Sequence, residues 1–190
     1  MASVGILEGS LRKASLSRAL ARAAAGLAPG GMGIRVLPSP GTLPHFDQDL
    51  LDEGLPAPVA ALSAAVAELD AVLIVTPEYN WSIPGVLKNA MDWLSRLKPN
   101  PLEGKPAAIW TVSPGVLGGA RVHEVLRHVL HSQDMLIMAK PEVQVAGASG
   151  KIDVALGAVT DATTREFLHA HLAKFDKFIG SLTGTVRSLP

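Results

Sequence analysis

Cysteine is absent from this chain of 190 residues. That excludes disulfides, thiolate nucleophiles and cysteine-ligated metal clusters, and it makes a reducing cytoplasm the expected compartment. Charge of either sign is not in excess, since 17 Lys and Arg balance 17 Asp and Glu. No broad basic field is therefore available to draw nucleic acid or an anionic membrane surface, and any anion must be bound by a local site. Aromatic residues are scarce, at one Tyr, three Trp and four Phe, so a flat ligand cannot be sandwiched between many rings. No apolar run approaches the roughly 18 to 20 residues of a membrane span, and the opening Met1-Ala2-Ser3-Val4 lacks the basic and apolar regions of a signal peptide. No membrane partner is expected.

What is present is 48% hydrophobic residues in a strictly alternating arrangement of elements. Strands are expected near Ser3–Leu7, Gly33–Leu37, Ala71–Val75, Ala107–Val112 and Asp134–Met138. Between them lie helical patterns: Leu16, Ala19, Leu20, Ala23, Ala24 and Leu27; Val59, Leu62, Val66 and Leu69; Leu87, Ala90, Met91, Leu94 and Leu97; Val122, Val125, Leu126, Val129 and Leu130. Phe167, Leu168, Leu172, Phe175 and Ile179 close the series. Such alternation implies right-handed crossovers and a parallel sheet with helices on both faces, in one domain covering residues 1–190. The proline- and glycine-rich segment from Pro38 to Pro58 reads as a long surface loop.

Three segments follow strand ends, where open α/β sheets place their ligands. The first, Gly9 to Ser17, supplies the hydroxyls of Ser10, Ser15 and Ser17, the Arg12 guanidinium and the free amides of a helix start at Leu16. That combination suits a phosphate monoester. Neither Gly-x-x-x-x-Gly-Lys-Ser/Thr nor Gly-x-Gly-x-x-Gly occurs there, so a terminal monophosphate is expected rather than a nucleotide triphosphate or dinucleotide. The second, Thr76-Pro77-Glu78-Tyr79-Asn80-Trp81-Ser82-Ile83-Pro84, holds two aromatic residues on a proline-bounded loop, a wall for a flat ring. Glu78 is expected to serve a backbone or intersubunit hydrogen bond, because a carboxylate beside an electron-rich ring opposes its reduction. The third, Ser113-Pro114-Gly115-Val116-Leu117-Gly118-Gly119, allows close backbone approach.

Gly9-Ser10-Leu11-Arg12 with Ser15, Pro77-Glu78-Tyr79-Asn80 with Ser82 to Ala90 and Asp92-Trp93, then Ser113-Pro114-Gly115 and Gly118-Gly119 resemble the NADPH-dependent FMN reductase family. The resemblance implies a flavodoxin-like, three-layer, doubly wound fold on a five-stranded parallel sheet of order 2-1-3-4-5. It also implies bound FMN, NADPH or NADH as hydride donor, and a homodimer or homotetramer. The acceptor would be a small molecule: a quinone, an azo compound, a metal oxyanion or free flavin. Carried over by position, Ser10, Arg12, Ser15, Leu16 and Ser17 would hold the phosphate. Pro77, Glu78, Tyr79, Asn80 and Trp81 would flank the ring, with Ser113, Pro114, Gly115 and Gly118 at its other edge. The flavin would carry the chemistry, with no catalytic side chain. Ser17 stands where many relatives have asparagine, and Trp81 where they often have a smaller or different residue.

Two other classes share this pattern: a flavin carrier or redox sensor without turnover, and a cofactor-free binding module on the same fold. The six histidines form no His-Glu-x-x-His motif, so solvated or structural roles are expected for His123, His128 and His131 and no metal site is read.

Overall fold

A computed structural model describes residues 2–186, with side chains through residue 182. The first half alternates β1 (Ser3–Glu8), α1 (Leu16–Leu27), β2 (Gly33–Val36), α2 (Gln48–Glu53), α3 (Ala57–Ala67) and β3 (Ala71–Thr76). The second half runs α4 (Gly85–Arg96), β4 (Pro106–Val112), α5 (Ala120–Ser132), β5 (Leu136–Ile137), β6 (Val143–Val145), β7 (Ile152–Asp153), β8 (Ala158–Val159) and α6 (Ala162–Val186). The main sheet is parallel in the order β2-β1-β3-β4-β5, the doubly wound, flavodoxin-like order, with β6 also paired to β4.

Every residue of β3 and β4 is buried, which is why both read as unbroken apolar runs. Side chains alternate between two cores, as the period of a strand requires. Leu73 and Val75 join Ala108 and Trp110 against α1 and α6, where Leu20, Leu168, Leu172 and Phe175 complete one core. Val72 and Ile74 join Ala107 and Ile109 against α3, α4 and α5, where Leu62, Leu87, Met91 and Leu126 complete the other.

Two regions depart from the sequence expectation. The fifth strand is not continuous over Asp134–Met138. Leu136 and Ile137 pair with Pro106 and Ala107, the chain leaves the ladder through Pro141, and Val143 to Val145 then rejoin β4 at Trp110 to Val112. Proline brings no N–H to a ladder, which fits a break at this point. The fifth position is thus filled by two short segments, and a small antiparallel hairpin of β7 and β8 follows.

The second region is Pro38 to Pro58, which is more ordered than a loop. It contains a single 3-10 turn at Pro40–Thr42 and the Asp47-capped α2, and it runs into α3. One helix anchors it: Asn89 accepts from Phe46 N at 2.8 Å and donates to the Pro44 carbonyl at 2.8 Å, while Trp93 Nε1 donates to the same carbonyl at 2.8 Å. Phe46 lies edge-on to Trp93, with ring centroids 5.1 Å apart. These contacts satisfy the buried indole N–H and both ends of the Asn89 amide.

Candidate active site

The segments after β1, β3 and β4 converge at the carboxyl edge of the sheet around a cleft of about 430 Å³. Of the residues singled out from sequence, Ser10, Arg12, Ser15, Leu16, Ser17, Pro77, Glu78, Tyr79, Ser113 and Pro114 line it. Gly115, Asn80, Trp81 and Gly118 lie outside that lining. Ser149, Ile152 and Val154 also line it. Sequence reading did not find these three, since Ser149 sits in a three-residue 3-10 turn, and Ile152 and Val154 belong to a hairpin too short to show periodicity.

The first segment begins where the ladder ends, with Gly9 N still donating to the Val75 carbonyl at 2.9 Å. Ser15 is the N-cap of α1, its hydroxyl accepting from Arg18 N at 3.4 Å, as the first turn of a helix requires. Ser15 Oγ and Ser17 Oγ are 2.8 Å apart, and both residues are buried. Ser10 Oγ accepts from Arg12 N at 3.4 Å and stands 3.3 Å from Tyr79 OH, which ties the first segment to the second. Among the described residues the Arg12 guanidinium has no carboxylate partner. Glu8, the last residue of β1, is different. Burial raises its pKa, while Arg18, 3.4 Å away, and Arg22 pull it down.

The second segment is a tight reversal. Tyr79 N donates to the Ser82 carbonyl at 3.1 Å and Ser82 N to the Tyr79 carbonyl at 2.9 Å. The two central residues both have positive φ, +49° at Asn80 and +62° at Trp81. This is the pattern of a type I′ turn, natural for Asn and strained for Trp. It turns Trp81 outward, 70% exposed, where the Arg121 guanidinium lies 4.6 Å from its ring centroid.

Glu78 has a defined task. Its Oε2 accepts from Arg121 N at 2.9 Å and Val122 N at 3.1 Å, and Oε1 is 3.5 Å from Arg121 Nη1. The N-cap residue of α5 is Gly119, which offers no side chain, so Glu78 supplies from a distant strand end the anion that a helix start attracts. The expected backbone hydrogen bond is therefore made. It also leaves α1 as the helix whose first turn opens into the cleft. Replacing Glu78 with Ala should cost about 1 to 2 kcal/mol, or roughly 2 to 8 °C in thermal midpoint. Glu78→Gln, which keeps an acceptor, should recover part of the loss by calorimetry, and equal midpoints for all three proteins would remove the capping role.

Gly118 and Gly119 carry the third segment past β6 and β4. Both have positive φ, and a Cβ on Gly118 would lie 2.8 Å from the Gln144 carbonyl carbon, one on Gly119 2.9 Å from Thr111 Cβ. Gly118 therefore serves close packing of the loop on β6. Behind this wall are two buried histidines. His123 Nε2 is 3.0 Å from the Val143 carbonyl, with Nδ1 unpartnered among the described residues, and His171 Nδ1 accepts from Trp110 Nε1 at 3.1 Å. Burial lowers the pKa of both, that of His171 to about 4. Among the described residues no group of three or more His, Asp or Glu is placed to hold a metal ion, and no helix is long and apolar enough to cross a membrane.

The model of one family, described as NADPH-dependent FMN reductase, matches residues 2–150. The chain belongs to the NADPH-dependent FMN reductase family. It is 46% identical over 174 residues to a quinone reductase of Escherichia coli (strain K12), covering 91% of this chain and 93% of that one. It is 38% identical to an NAD(P)H-dependent FMN reductase of Pseudomonas aeruginosa, covering 94% and 95%. Among solved structures it superposes on FerB, a flavoenzyme NAD(P)H:(acceptor) oxidoreductase from Paracoccus denitrificans, with a TM-score of 0.87 and 37% identity over 95% of this chain and 98% of that one. Ile152 and Val154 lie beyond the segment that the family model matches.

The chain is thus an oxidoreductase of the FMN- and NAD(P)H-dependent kind. The donor set at the cleft fits FMN on its own terms: three serine hydroxyls, an arginine without a carboxylate partner among the described residues and the first turn of α1 face one space, as a phosphate monoester requires.

Proposed function

We propose that this protein reduces quinones to hydroquinones by two electrons, with FMN held in the cleft and NADPH or NADH as the source of hydride. The observation that carries this is a single cleft that joins a phosphate-like seat at α1 to a wall of Pro77, Tyr79 and Pro114, in a chain so similar to a quinone reductase. Overall, NAD(P)H, a proton and the quinone give NAD(P)⁺ and the hydroquinone.

In this reading residues 1–190 form one FMN-binding unit. Ser10, Arg12, Ser15 and Ser17, with the amides at the start of α1, hold the phosphate. Pro77 and Tyr79 flank the ring, with Asn80 beside them in the turn, and Ser113 to Gly115 approach its other edge through the main chain. When bound, FMN supplies a carrier that accepts hydride from NAD(P)H and delivers two electrons to the acceptor. The side chains bind and orient, and none needs to act as acid, base or nucleophile in the hydride step. Glu78 is kept from opposing charge build-up by its bonds to the α5 amides.

Exposed Tyr79, Trp81, Val116 and Leu117 crowd the same edge, which supports a homodimer or homotetramer covering it. The lack of cysteine supports a cytoplasmic location. The test is steady-state NADPH and NADH oxidation by FMN-loaded protein, with 1,4-benzoquinone, an azo dye, chromate and free FMN compared as acceptors. Fastest turnover with benzoquinone supports the proposal. Flavin that stays oxidised with both nicotinamides would instead make the protein a carrier or sensor, and light scattering in the same preparations gives the subunit number.

A further inference from the structure

The cleft has a wall that the three strand-end segments do not supply. Ser149, Ile152 and Val154 line the cleft together with Ser10, Arg12 and Ser15. We propose that the arm from Gly147 to Val154 is a further FMN-contacting element, one that determines how long the cofactor remains bound. The inference rests on the reading that FMN occupies this cleft.

The arm is built as a fixed wall. Gly147 N donates to the Gly115 carbonyl at 3.0 Å and Ala148 N to the Ser113 carbonyl at 3.1 Å, so the arm and the third segment are one hydrogen-bonded unit. Its far end is closed by Thr160 N donating to the Lys151 carbonyl at 2.8 Å, and by the antiparallel pairing of Ile152 with Val159. The hairpin tip rests on α1: a Cβ on Gly157 would lie 3.1 Å from Arg22 Cδ and 3.3 Å from Arg22 Cβ. Ile152 is buried in the core against α1 and α6, and Val154 packs on that core.

The chemistry follows from the mixed lining. Hydroxyls and a guanidinium share the cleft with two branched apolar side chains. An apolar wall beside charge-assisted hydrogen bonds lowers the local dielectric and strengthens them. It also must be crossed by water before those bonds exchange. A cleft with the serine cluster but without Ile152 and Val154 would bind FMN and release it quickly, as a substrate. With them it retains FMN as a resident cofactor.

Release of FMN from the loaded, full-length protein is measured by the rise in flavin fluorescence after large dilution into flavin-free buffer. Val154→Ala removes two methyl groups from the wall, and release should quicken about tenfold. Val154→Asp, which sets a carboxylate in the same lining as the phosphate seat, should quicken it about a hundredfold. Leu156→Ala, at the exposed hairpin tip and outside the lining, should leave it unchanged. Thermal midpoints of the apo proteins control for folding, and Val154→Thr, which keeps the branched shape, serves if the aspartate variant is unstable and should fall between wild type and Val154→Ala. Release rates equal to wild type in Val154→Ala and the polar variant would overturn the inference while leaving FMN binding intact. Failure of wild-type protein to bind FMN at all would overturn the functional reading and this inference with it.

Discussion

Arg12→Ala is expected to weaken FMN binding about ten- to 150-fold, the equivalent of one charge-assisted hydrogen bond of roughly 1.5 to 3 kcal/mol. The size follows from the arginine's situation. It lines the cleft beside the N-terminus of α1 and has no carboxylate partner among the described residues, so truncation removes a cation from the seat without liberating a buried anion elsewhere. Glu8 cannot replace or cancel it, because that carboxylate is already paired with Arg18. Lys at position 12 should restore charge but not the planar fork, and its affinity should fall between the two. The measurement is quenching of FMN fluorescence on titration with apoprotein, repeated with riboflavin. Riboflavin carries no phosphate, so wild type and Arg12→Ala should bind it alike, and the difference between them for FMN should shrink as salt is raised. An FMN dissociation constant unmoved by the substitution would remove Arg12 from the phosphate seat.

Much of this site was legible because its signals are local. Ala71 to Val75 is apolar throughout since β3 is covered on both faces, and Ser15 sits at a helix start because its hydroxyl caps the next turn. What was not legible depends on distant partners. Glu78 meets the α5 amides 43 residues away, and the Asn89 amide reaches the Pro44 carbonyl 45 residues away. No spacing rule encodes either contact. The broken fifth strand and the hairpin are assembled from pieces of two or three residues, too short for a period of two to declare itself. Ser149, Ile152 and Val154 were missed for that reason. The burial of His171 was readable: it falls three residues after Leu168 and four before Phe175, on the same helix face as both.

Acidification from pH 6.5 to pH 4 should lower the unfolding free energy by roughly 3 kcal/mol through His171 alone, given a folded pKa of about 4 against an ordinary value near 6.5. Burial is the main cause, with repulsion from His123 and Lys174 acting in the same direction and the Pro141 carbonyl opposing it. The unfolded chain takes the proton first, so the contribution is complete above the unfolded value and is lost as pH falls towards the folded one. Geometry explains the cost. Nδ1 accepts from Trp110 Nε1, and a proton placed there would set one donor against another inside the core. His123 shifts in the same direction, so it steepens the decline. Glu8 works against it, since its raised pKa favours the protonated folded state and its contribution fades as pH rises. The depressed carboxyls of Asp70 and Asp161 begin to withdraw their stabilisation only as pH nears their ordinary value, at the acid end of this window. Denaturant unfolding of wild type and His171→Gln between pH 7 and pH 4.5 separates these terms. Gln can still accept from the indole but does not titrate, so its curve should be visibly flatter even if it begins lower; parallel curves would assign the acid loss to other groups.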